Sequence, residues 1–459
     1  MKPRLAAIGL LAMASAVAAA GIFGPRSADA QRIDPRRPAV FVVGAPGGAS
    51  PTLRGDGRRS GATKEVLPSG VLRIGWRKTI GLSIEQPVLA GPDGMLAVVT
   101  ATRGDVIFLD SDGEEKGRVT AGTAAVGPAT MTSDGTVVFT SSAGDAIGIR
   151  RTSPRPRFVT RIGGERNARA APLSLDDGGV VIATATDLVV LDAEGNVRSR
   201  VSLPETPSAP LLSSGDKVLA VTSTGAVYGW TPGREAVRLG SFGAAIDGGA
   251  ALADGNTLVA VIEGNHLVEL DLGRGSRVSR SIAAQGLYLG PPSVRAIAGG
   301  GGSLATLLAY TQTRAMVVSI DPGGQELLRA SIATTTPPPA LADGGVAPLV
   351  APPHTGPLVD ARGAVAFAAP DGHVGMVGPD GAVDTLGELL CSRTSRSSGV
   401  AGLTALGRGA FAVTCEGGAV AKITGAEAES LRRPGAPPGA APPRPSASPP
   451  VRSPDDEDR

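Results

Sequence analysis

The chain has 459 residues, with 65 Gly, 38 Pro, only 3% aromatic residues and a formal net charge of +2. This length allows one large repeat protein or several ordinary domains, and either can bury a core. The abundance of Gly and Pro excludes an architecture of a few long helices and favours many short elements joined by turns.

The first 30 residues have the organisation of a secretory signal peptide. Lys2 and Arg4 precede an apolar run from Leu5 to Phe23, and Ala28-Asp29-Ala30 forms a small-x-small cleavage site before Gln31. The alternative is an uncleaved membrane anchor, but a run so rich in Ala and Gly favours cleavage. A bacterial lipoprotein would need Cys in place of Gln31. We therefore predict an exported protein, periplasmic or extracellular, that does not span the membrane.

Residues 31–70 are predicted to form a basic flexible linker. Seven basic residues outnumber three acidic ones, namely Arg32, Arg36, Arg37, Arg54, Arg58, Arg59 and Lys64 against Asp34, Asp56 and Glu65. A solvated arm is the simpler interpretation, and contact with an acidic surface or polymer is the alternative. Phe41 is the single aromatic residue of this segment, and the arginines are not regularly interleaved with aromatic residues for base stacking, so we expect no nucleic-acid partner.

From residue 86 onward the sequence repeats a unit of roughly 40 residues. Most units have a Pro before an apolar residue, followed by short runs of Val, Ile, Leu, Ala or Thr that are separated by turns with Asp and Gly. The Pro anchors Pro87, Pro128, Pro172 and Pro210 lie 41, 44 and 38 residues apart. Runs this short are strands rather than helices. Three such runs, with a fourth that leads to the next unit, give the size of a propeller blade.

Six units run from residue 86 to residue 324, and the register then loosens. A Pro-rich insertion at 334–354 is predicted to be a long loop, and further units start at Thr355 and Leu403. The strand Val71–Trp76 has no partners of its own, while the last unit lacks its outermost strand. We therefore predict an all-β fold, a β-propeller of about eight four-stranded blades over residues 71–432 that this N-terminal strand closes. Seven blades is the alternative.

The two cysteines of the chain, Cys391 and Cys415, are predicted to form a disulfide. A pair so close in sequence in an exported chain is more typical of a disulfide than of two reactive thiols. No His lies within 15 residues of either Cys, which disfavours a catalytic thiol. Such a disulfide would stabilise the C-terminal part of the propeller by roughly 3 kcal/mol on the chain-entropy model.

Residues 433–459 form a tail rich in Pro, Ala and Ser that ends in an acidic cluster. This composition cannot bury a core, so we predict that the tail is disordered or extended. An inert tail is the preferred interpretation over a segment that spans a cell wall or binds a partner.

The repeat unit, with its Asp-Gly turn, its strand pair Val180–Asp192 and a closing Leu-Asp-x-x-Gly, resembles the repeat of quinoprotein-like, or PQQ-like, β-propellers. That superfamily also includes the outer-membrane assembly propeller lipoprotein. The resemblance covers most of residues 71–432 and is clearest at Leu109-Asp110…Gly113, Leu191-Asp192…Gly195 and Leu270-Asp271. It implies the propeller fold and says little about activity.

Departures from the family pattern count against a quinone enzyme. The resemblance would imply a cofactor stacked on Trp and on a disulfide between adjacent cysteines, with Asp, Glu and Asn around calcium. This chain has no adjacent cysteines, and Trp230 is its one Trp besides Trp76. In the family repeat a Trp follows the closing Gly and docks against the next blade. Trp76 stands at such a position, whereas "NVRSRV" at 196–201 offers Arg200 and its neighbours instead.

The stretch Asp110-Ser111-Asp112 looks like the start of a calcium loop. Counted from Asp110, position six is Glu115 rather than Gly, and position twelve is Ala121 rather than Glu, so the EF-hand pattern fails. Asp and Gly are also the residues that a tight strand-to-strand turn selects. We interpret the recurrent Leu-Asp…Gly as a turn.

His266, His354 and His373 are scattered over different units and show no metal-ligand spacing. With no catalytic, cofactor-binding or metal-ligating residues identified, we predict that the protein is not an enzyme. We expect an exported, non-catalytic propeller, monomeric, that binds a protein or an envelope polymer through its faces or loops. The alternatives are a quinone- or metal-dependent propeller enzyme and an envelope assembly factor like the propeller lipoprotein, which the missing anchor Cys disfavours.

Overall fold

The computed structural model describes residues 50–91, 93–163, 170–282, 287–297, 302–310, 314–333, 356–369, 372–391 and 399–426, and the chain is all β within these ranges. The predicted signal peptide, the Pro-rich insertion at 334–354 and the Pro-rich tail lie outside the described residues.

Two strands precede the repeats, β1 (Ala62–Thr63) and β2 (Leu72–Thr79). Seven antiparallel sets of four consecutive strands, the blades, then follow in chain order, and β1 adds a fifth, parallel strand to the seventh. Blade 1 contains β3 (Leu89–Ala90), β4 (Leu96–Val99), β5 (Asp105–Leu109) and β6 (Glu115–Thr120). Blade 2 contains β7 (Ala125–Met131), β8 (Val137–Ser141), β9 (Asp145–Ile149) and β10 (Phe158–Arg161). Blade 3 contains β11 (Leu173–Ser174), β12 (Val180–Ala183), β13 (Asp187–Leu191) and β14 (Val197–Ser202).

Blades 4 to 8 continue the same pattern. Blade 4 contains β15 (Leu212–Ser214), β16 (Lys217–Val221), β17 (Ala226–Trp230) and β18 (Val237–Ser241). Blade 5 contains β19 (Ile246–Leu252), β20 (Thr257–Ile262), β21 (His266–Asp271) and β22 (Arg277–Ser281). Blade 6 contains β23 (Leu287–Ala296), β24 (Ser303–Tyr310), β25 (Arg314–Ile320) and β26 (Glu326–Ala333). Blade 7 contains β27 (Leu358–Asp360), β28 (Val365–Ala368), β29 (Val374–Val377) and β30 (Val383–Thr385). Blade 8 contains β31 (Val400–Gly407), β32 (Ala410–Cys415) and β33 (Ala419–Gly425), and β2 is its fourth strand.

The blades form a ring in which the first strand of each blade lies nearest the axis. First strands of most neighbouring blades contact each other, and β31 of blade 8 contacts β3 of blade 1. The predicted all-β propeller of eight four-stranded blades is confirmed, and the seven-blade alternative is excluded.

The ring is closed by a strand from the N-terminal side, as predicted. β2 pairs antiparallel with β33, from Leu72 opposite Gly425 to Thr79 opposite Ala419. A bulge between Ile74 and Trp76 interrupts the register, which increases the local twist of this outer strand. Blade 8 therefore joins the two ends of the folded chain in one sheet.

The hydrophobic core lies between the blades. Among the described residues there are eight buried clusters, one at each blade-to-blade interface. At the first interface, Val106 and Phe108 of blade 1 pack with Val137 and Phe139 of blade 2. The second and third strands of most blades are buried on both faces, which explains why they are continuous runs of Val, Ile, Leu and Ala rather than alternating patterns.

Trp76 has the docking role that the family resemblance assigns to a Trp. Its indole N–H donates to the carbonyl oxygen of Ser111, 2.9 Å away in a turn of blade 1. Gly113 in the same turn has φ +81°, and a Cβ there would lie 2.7 Å from the indole ring of Trp76. The indole therefore packs at the interface between blade 8 and blade 1.

A phenylalanine makes the corresponding contact between blades 2 and 3. The ring of Phe158, in blade 2, lies directly against Gly195 in the turn of blade 3, and Gly195 also has a positive φ of +85°. Arg200 does not replace a docking Trp, because its guanidinium faces Asp187 of its own blade at 3.8 Å. The glycine of the turn is kept because an aromatic ring from the preceding blade occupies the space of a side chain.

Residues 50–70 belong to the fold, so the prediction of a flexible linker up to residue 70 is wrong. Leu53, Arg59 and Leu67 are each only 1% exposed, and β1 pairs in parallel with β27 of blade 7. The prediction treated the arginines as solvated charges, whereas two of them are buried against main-chain carbonyl groups. Residues 31–49 lie outside the described residues.

We expect the substitution W76A to lower the free energy of unfolding by about 2 kcal/mol, because it empties the junction between blades 8 and 1. W76F keeps the contact with Gly113 but not the hydrogen bond, and should lower the free energy of unfolding by a smaller amount. Chemical denaturation followed by circular dichroism measures both. V71A, at a side chain that is 66% exposed beside the same strand, is the control, and an equal midpoint for W76A and V71A would contradict the role of Trp76.

Candidate functional site

Residues 50–63, which we name the axial plug, lie against the inner, axis-facing strands of the ring. Ser50 forms an antiparallel bridge with Ala90 of blade 1, and Thr52 forms one with Thr130 of blade 2. The plug ends in β1, which pairs with blade 7. This segment therefore follows the inner surface of the ring from its first blades to its seventh.

The plug accepts main-chain hydrogen bonds from the first strands of six blades. The N–H groups of Ala90, Met131, Ser213, Leu252, Val294 and Val359 donate, in this order, to the carbonyl oxygens of Ser50, Pro51, Gly57, Arg58, Ser60 and Gly61 over 2.6–2.9 Å. A buried N–H group without a partner costs about 1–3 kcal/mol. The plug thus completes the hydrogen bonding of strand edges that have no partner within their own sheets.

Arg59 joins the plug to blades 3 and 4. Its Nε donates to the carbonyl oxygen of Leu211 (2.9 Å), its Nη2 to that of Pro172 (2.8 Å), and its Nη1 to that of Leu53 (3.0 Å). The hydroxyl of Thr52 accepts a further hydrogen bond from Nη1. Arg59 has φ 54°, an uncommon main-chain conformation for a residue with a side chain, and the hydrogen bonds of its guanidinium help to hold it there.

Arg54 makes the corresponding contact with blades 6 and 7. Its Nη2 donates to the carbonyl oxygen of Pro292 (2.9 Å) and to the hydroxyl of Ser293 (2.8 Å), and it lies 3.5 Å from the carbonyl oxygen of Pro357. Its Nε donates to the carbonyl oxygen of Arg59 (3.2 Å). The two arginines are therefore coupled to each other as well as to four blades.

Both guanidinium groups bond to main-chain oxygens rather than to carboxylates. Burial lowers the pKa of Arg54 to about 9 and that of Arg59 to about 10, against the attraction of Asp56. Asp56 accepts hydrogen bonds from the N–H and the hydroxyl of Ser60, both at 3.0 Å. Two buried positive charges near the axis oppose the binding of a further cation there.

The recurrent Leu-Asp…Gly motif is confirmed as a turn. Asp110 Oδ1 accepts the N–H groups of Asp112 (3.0 Å) and Glu114 (2.9 Å), and Asp192 Oδ1 accepts that of Asn196 (2.7 Å). A carboxylate engaged in this way closes the turn. Within the ranges that the structure describes, no group of three or more His, Cys, Asp or Glu side chains could hold a metal ion.

The two histidines within the described residues, His266 and His373, lie in different blades. His266 begins β21 in blade 5, with Nδ1 3.8 Å from Glu263. His373 directly precedes β29 in blade 7. His354 lies outside the described residues.

Cys391 and Cys415 are joined by a disulfide, with their Cα atoms 5.3 Å apart. Cys415 ends β32 in blade 8, and Cys391 lies in the connection between β30 and β31. Both residues are buried. The bond fixes the connection between blades 7 and 8 to blade 8 and leaves the chain without a free thiol.

A cleft of ≈ 440 Å³ opens between the turns of blades 1 and 2. Its lining includes the apolar side chains of Met95, Phe108 and Met131 and the charged groups of Asp134 and Arg150. Phe108 and Met131 belong to the buried cluster between the two blades. The cleft is therefore an opening into the first blade interface, with charged residues at its rim.

Asp134 organises the charges at this rim. Its Oδ2 lies against Arg150 and 2.5 Å from Nη1 of Arg157. Burial raises the pKa of Asp134, but hydrogen bonds from Thr132, Thr136 and Arg157 outweigh it and bring the pKa down to about 2. The carboxylate is therefore ionised at any physiological pH and neutralises part of the arginine charge.

The axial plug and the cleft were both missed by sequence reasoning. A signal for the plug existed in Gly55 and Gly61, which have positive φ of 91° and 63°. A Cβ on Gly61 would collide with the guanidinium of Arg54. Glycines placed around arginines in this way indicate a specific turn, which a flexible linker does not need.

No family model and no curated protein matches this chain. Solved structures do. BamB from Moraxella catarrhalis matches with a TM-score of 0.52 and 17% identity, over 77% of this chain and 98% of that chain. The computationally designed Ika8 protein matches with a TM-score of 0.53 and 16% identity, over 75% of this chain and 99% of that chain.

A third similar structure is that of the quinohemoprotein alcohol dehydrogenase ADHIIG from Pseudomonas putida HK5. Its TM-score is 0.58 at 11% identity, over 89% of this chain and 84% of that chain. At these identities the three likenesses show the propeller fold alone. The part of the chain that the structure describes contains no helix with the length and apolarity that a membrane crossing requires.

We expect R59A to lower the free energy of unfolding by at least ~3 kcal/mol, because it leaves the buried carbonyl oxygens of Leu211 and Pro172 without donors. The matched control is R58A in the same plug, at a half-buried residue, which should cost below ~0.5 kcal/mol. Urea denaturation of both variants measures the difference, and equal costs would contradict the anchoring role of Arg59.

Removal of the disulfide by the double substitution C391A/C415A should lower the free energy of unfolding by ~3 kcal/mol, since the unfolded chain regains the freedom of a closed loop. Thermal unfolding with and without reductant measures this effect. Reductant should lower the melting temperature of the wild type and leave that of the double variant unchanged. A wild type insensitive to reductant would contradict the expectation.

Proposed function

We propose that this chain is an exported, non-catalytic β-propeller that binds a macromolecular partner, a protein or a polymer of the cell envelope. The axial plug is the observation that carries this proposal. A propeller enzyme of the superfamily that the sequence resembles would gather its cofactor and calcium around the axis. In this chain residues 50–63 lie there, hydrogen-bonded to the first strands of six blades.

The residues that a quinone site would need have structural roles. Trp76 docks on blade 1, and Trp230 is 1% exposed, with its indole N–H donating to the carbonyl oxygen of Arg234 (3.0 Å). Neither ring is free to stack on a cofactor. The disulfide joins Cys391 to Cys415 across two elements, whereas a quinone site of the family would use adjacent cysteines.

The architecture suits binding by surface loops. The closed ring pairs the strands of every blade, and the plug holds the centre, so the frame is rigid and the connections between strands are free to vary. An envelope assembly factor is the more specific form of this proposal. The solved structures similar to this chain include BamB, and in this form of the proposal the partner would be an outer-membrane machine.

The test is affinity purification of the mature chain from the envelope fraction of its own cells after mild crosslinking. We expect one partner in constant ratio to the propeller, absent when an unrelated exported protein carries the same tag. Incubation of the purified chain with quinone and calcium, followed by absorbance and metal analysis, is the opposing measurement. Stoichiometric uptake together with alcohol oxidation would overturn the non-catalytic proposal.

A further inference from the structure

The connection between the third and fourth strands of blade 2 is an exception to the repeat. In the six other blades whose third and fourth strands are consecutive, this connection contains a glycine of positive φ, namely Gly113, Gly195, Gly233, Gly275, Gly324 or Gly381. In blade 2, residues 150–157 instead read Arg-Arg-Thr-Ser-Pro-Arg-Pro-Arg. Four arginines are not needed to turn the chain, and loops on a rigid frame are where binding residues concentrate. We name residues 150–157 the arginine loop.

The arginine loop borders the cleft between blades 1 and 2. Arg150, Arg151 and Thr152 are among the residues that line it. Arg151 also reaches across to blade 1, where a Cβ on Gly117 would lie 3.5 Å from its Cγ. The loop thus spans the junction of the two blades and forms one wall of the cleft.

The apolar floor of the cleft is shared by the two blades. Met131 of blade 2 packs over the turn of blade 1, where a Cβ on Gly91 would lie 3.1 Å from its Sδ. Phe108 is 2% exposed and Met131 is 4% exposed, whereas Met95 is partly exposed in the opening. Met side chains adapt their shape to an apolar partner. Of these three side chains, Met95 therefore offers most of the apolar surface that a ligand could reach.

The internal ion pairs leave part of the loop charge uncompensated. Asp134 binds Arg150 and Arg157, and Glu194 of blade 3 lies 3.6 Å from Arg157. Nε of Arg150 is buried and has no hydrogen-bond partner in the described part of the chain.

Arg151 and Arg155 are both exposed. Neither forms an ion pair with the described residues. Asp93 supplies one further carboxylate to the lining of the cleft. Arg151 lines the cleft and presents its donors beside the apolar floor, whereas Arg155 presents its donors to solvent from the same loop. This combination of charge and apolar surface is complementary to a carboxylate next to a large apolar side chain.

We propose that the cleft and the arginine loop bind an acidic peptide segment of the partner, with an apolar side chain against Met95 and carboxylates on Arg151 and Arg155. This inference rests on the proposed function, for which it supplies a site and a ligand chemistry. Arginine presents paired N–H donors that match a carboxylate. The apolar floor favours a peptide over a phosphate-rich polymer, which has charge but no apolar side chains.

The probe is a short fluorescent peptide with a central Leu-Phe pair between runs of Glu, titrated with the full mature chain by fluorescence anisotropy. Matched peptides replace Leu-Phe with Ala-Ala, or Glu with Lys. We expect the acidic Leu-Phe peptide to bind, and R151A/R155A to weaken this binding by about tenfold. M95A should remove most of the advantage of Leu-Phe over Ala-Ala. R274A, at an arginine 85% exposed in the matching turn of blade 5, is the control and should bind like the wild type.

Three results would overturn this inference. The first is equal affinity of the wild type and R151A/R155A for the acidic peptide, or no affinity in either. The second is that the Ala-Ala peptide binds as tightly as the Leu-Phe peptide and that polyphosphate displaces it completely, which would identify a site for polyanions. The third is binding that appears only after residues 433–459 are removed, which would make the acidic end of this chain the occupant.

The affinity purification from the envelope fraction separates a failure of this inference from a failure of the proposed function. A partner captured equally by the wild type and by R151A/R155A would overturn the cleft as its site and leave the proposed function standing. Absence of any partner would remove the proposed function, while the peptide titration would still decide whether the cleft binds acidic peptides.

Discussion

The ring depends on how the unpaired edges of its innermost strands are satisfied. Each first strand pairs with a neighbour on one side, and its other edge faces the axis with N–H and C=O groups that need partners. The axial plug supplies carbonyl oxygens to six of these strands. Pro172 and Pro292 have no N–H to satisfy, and their carbonyl oxygens accept hydrogen bonds from Arg59 and Arg54. One short segment therefore joins blades that are far apart in sequence.

The blades could be predicted from the sequence because their determinants are local. Asp and Gly mark each turn, and strands buried on both faces are continuous apolar runs. The closing strand was also accessible, since an unpartnered Val71–Trp76 matched the missing strand of the last unit. The plug could not be predicted in this way. Arg54 bonds to residues up to 303 positions away, and its acceptors are main-chain carbonyl groups that any sequence provides.

The same residue type has two opposite roles in this molecule, and burial decides which one applies. Arg54 and Arg59 are 4% and 1% exposed, and they act as multivalent donors that hold the centre of the ring. Arg151 and Arg155 are exposed in a loop that departs from the repeat. A count of positive charges treats the four residues alike, which is why the basic segment before the repeats was mistaken for a solvated arm and the arginine loop received no notice.

Because β2 pairs with β33, the four-stranded sheet of blade 8 can form only after the whole propeller has been synthesised. The outer strand of blade 8, β2, has no partner until β33 is synthesised, and β33 is among the last parts of the propeller. Contacts over such sequence separations form slowly. A chain truncated before β33 would keep exposed strand edges, which are prone to aggregation and accessible to quality-control proteases. The pairing of β2 with β33 thus makes completion of the ring depend on synthesis of the last strand of the propeller.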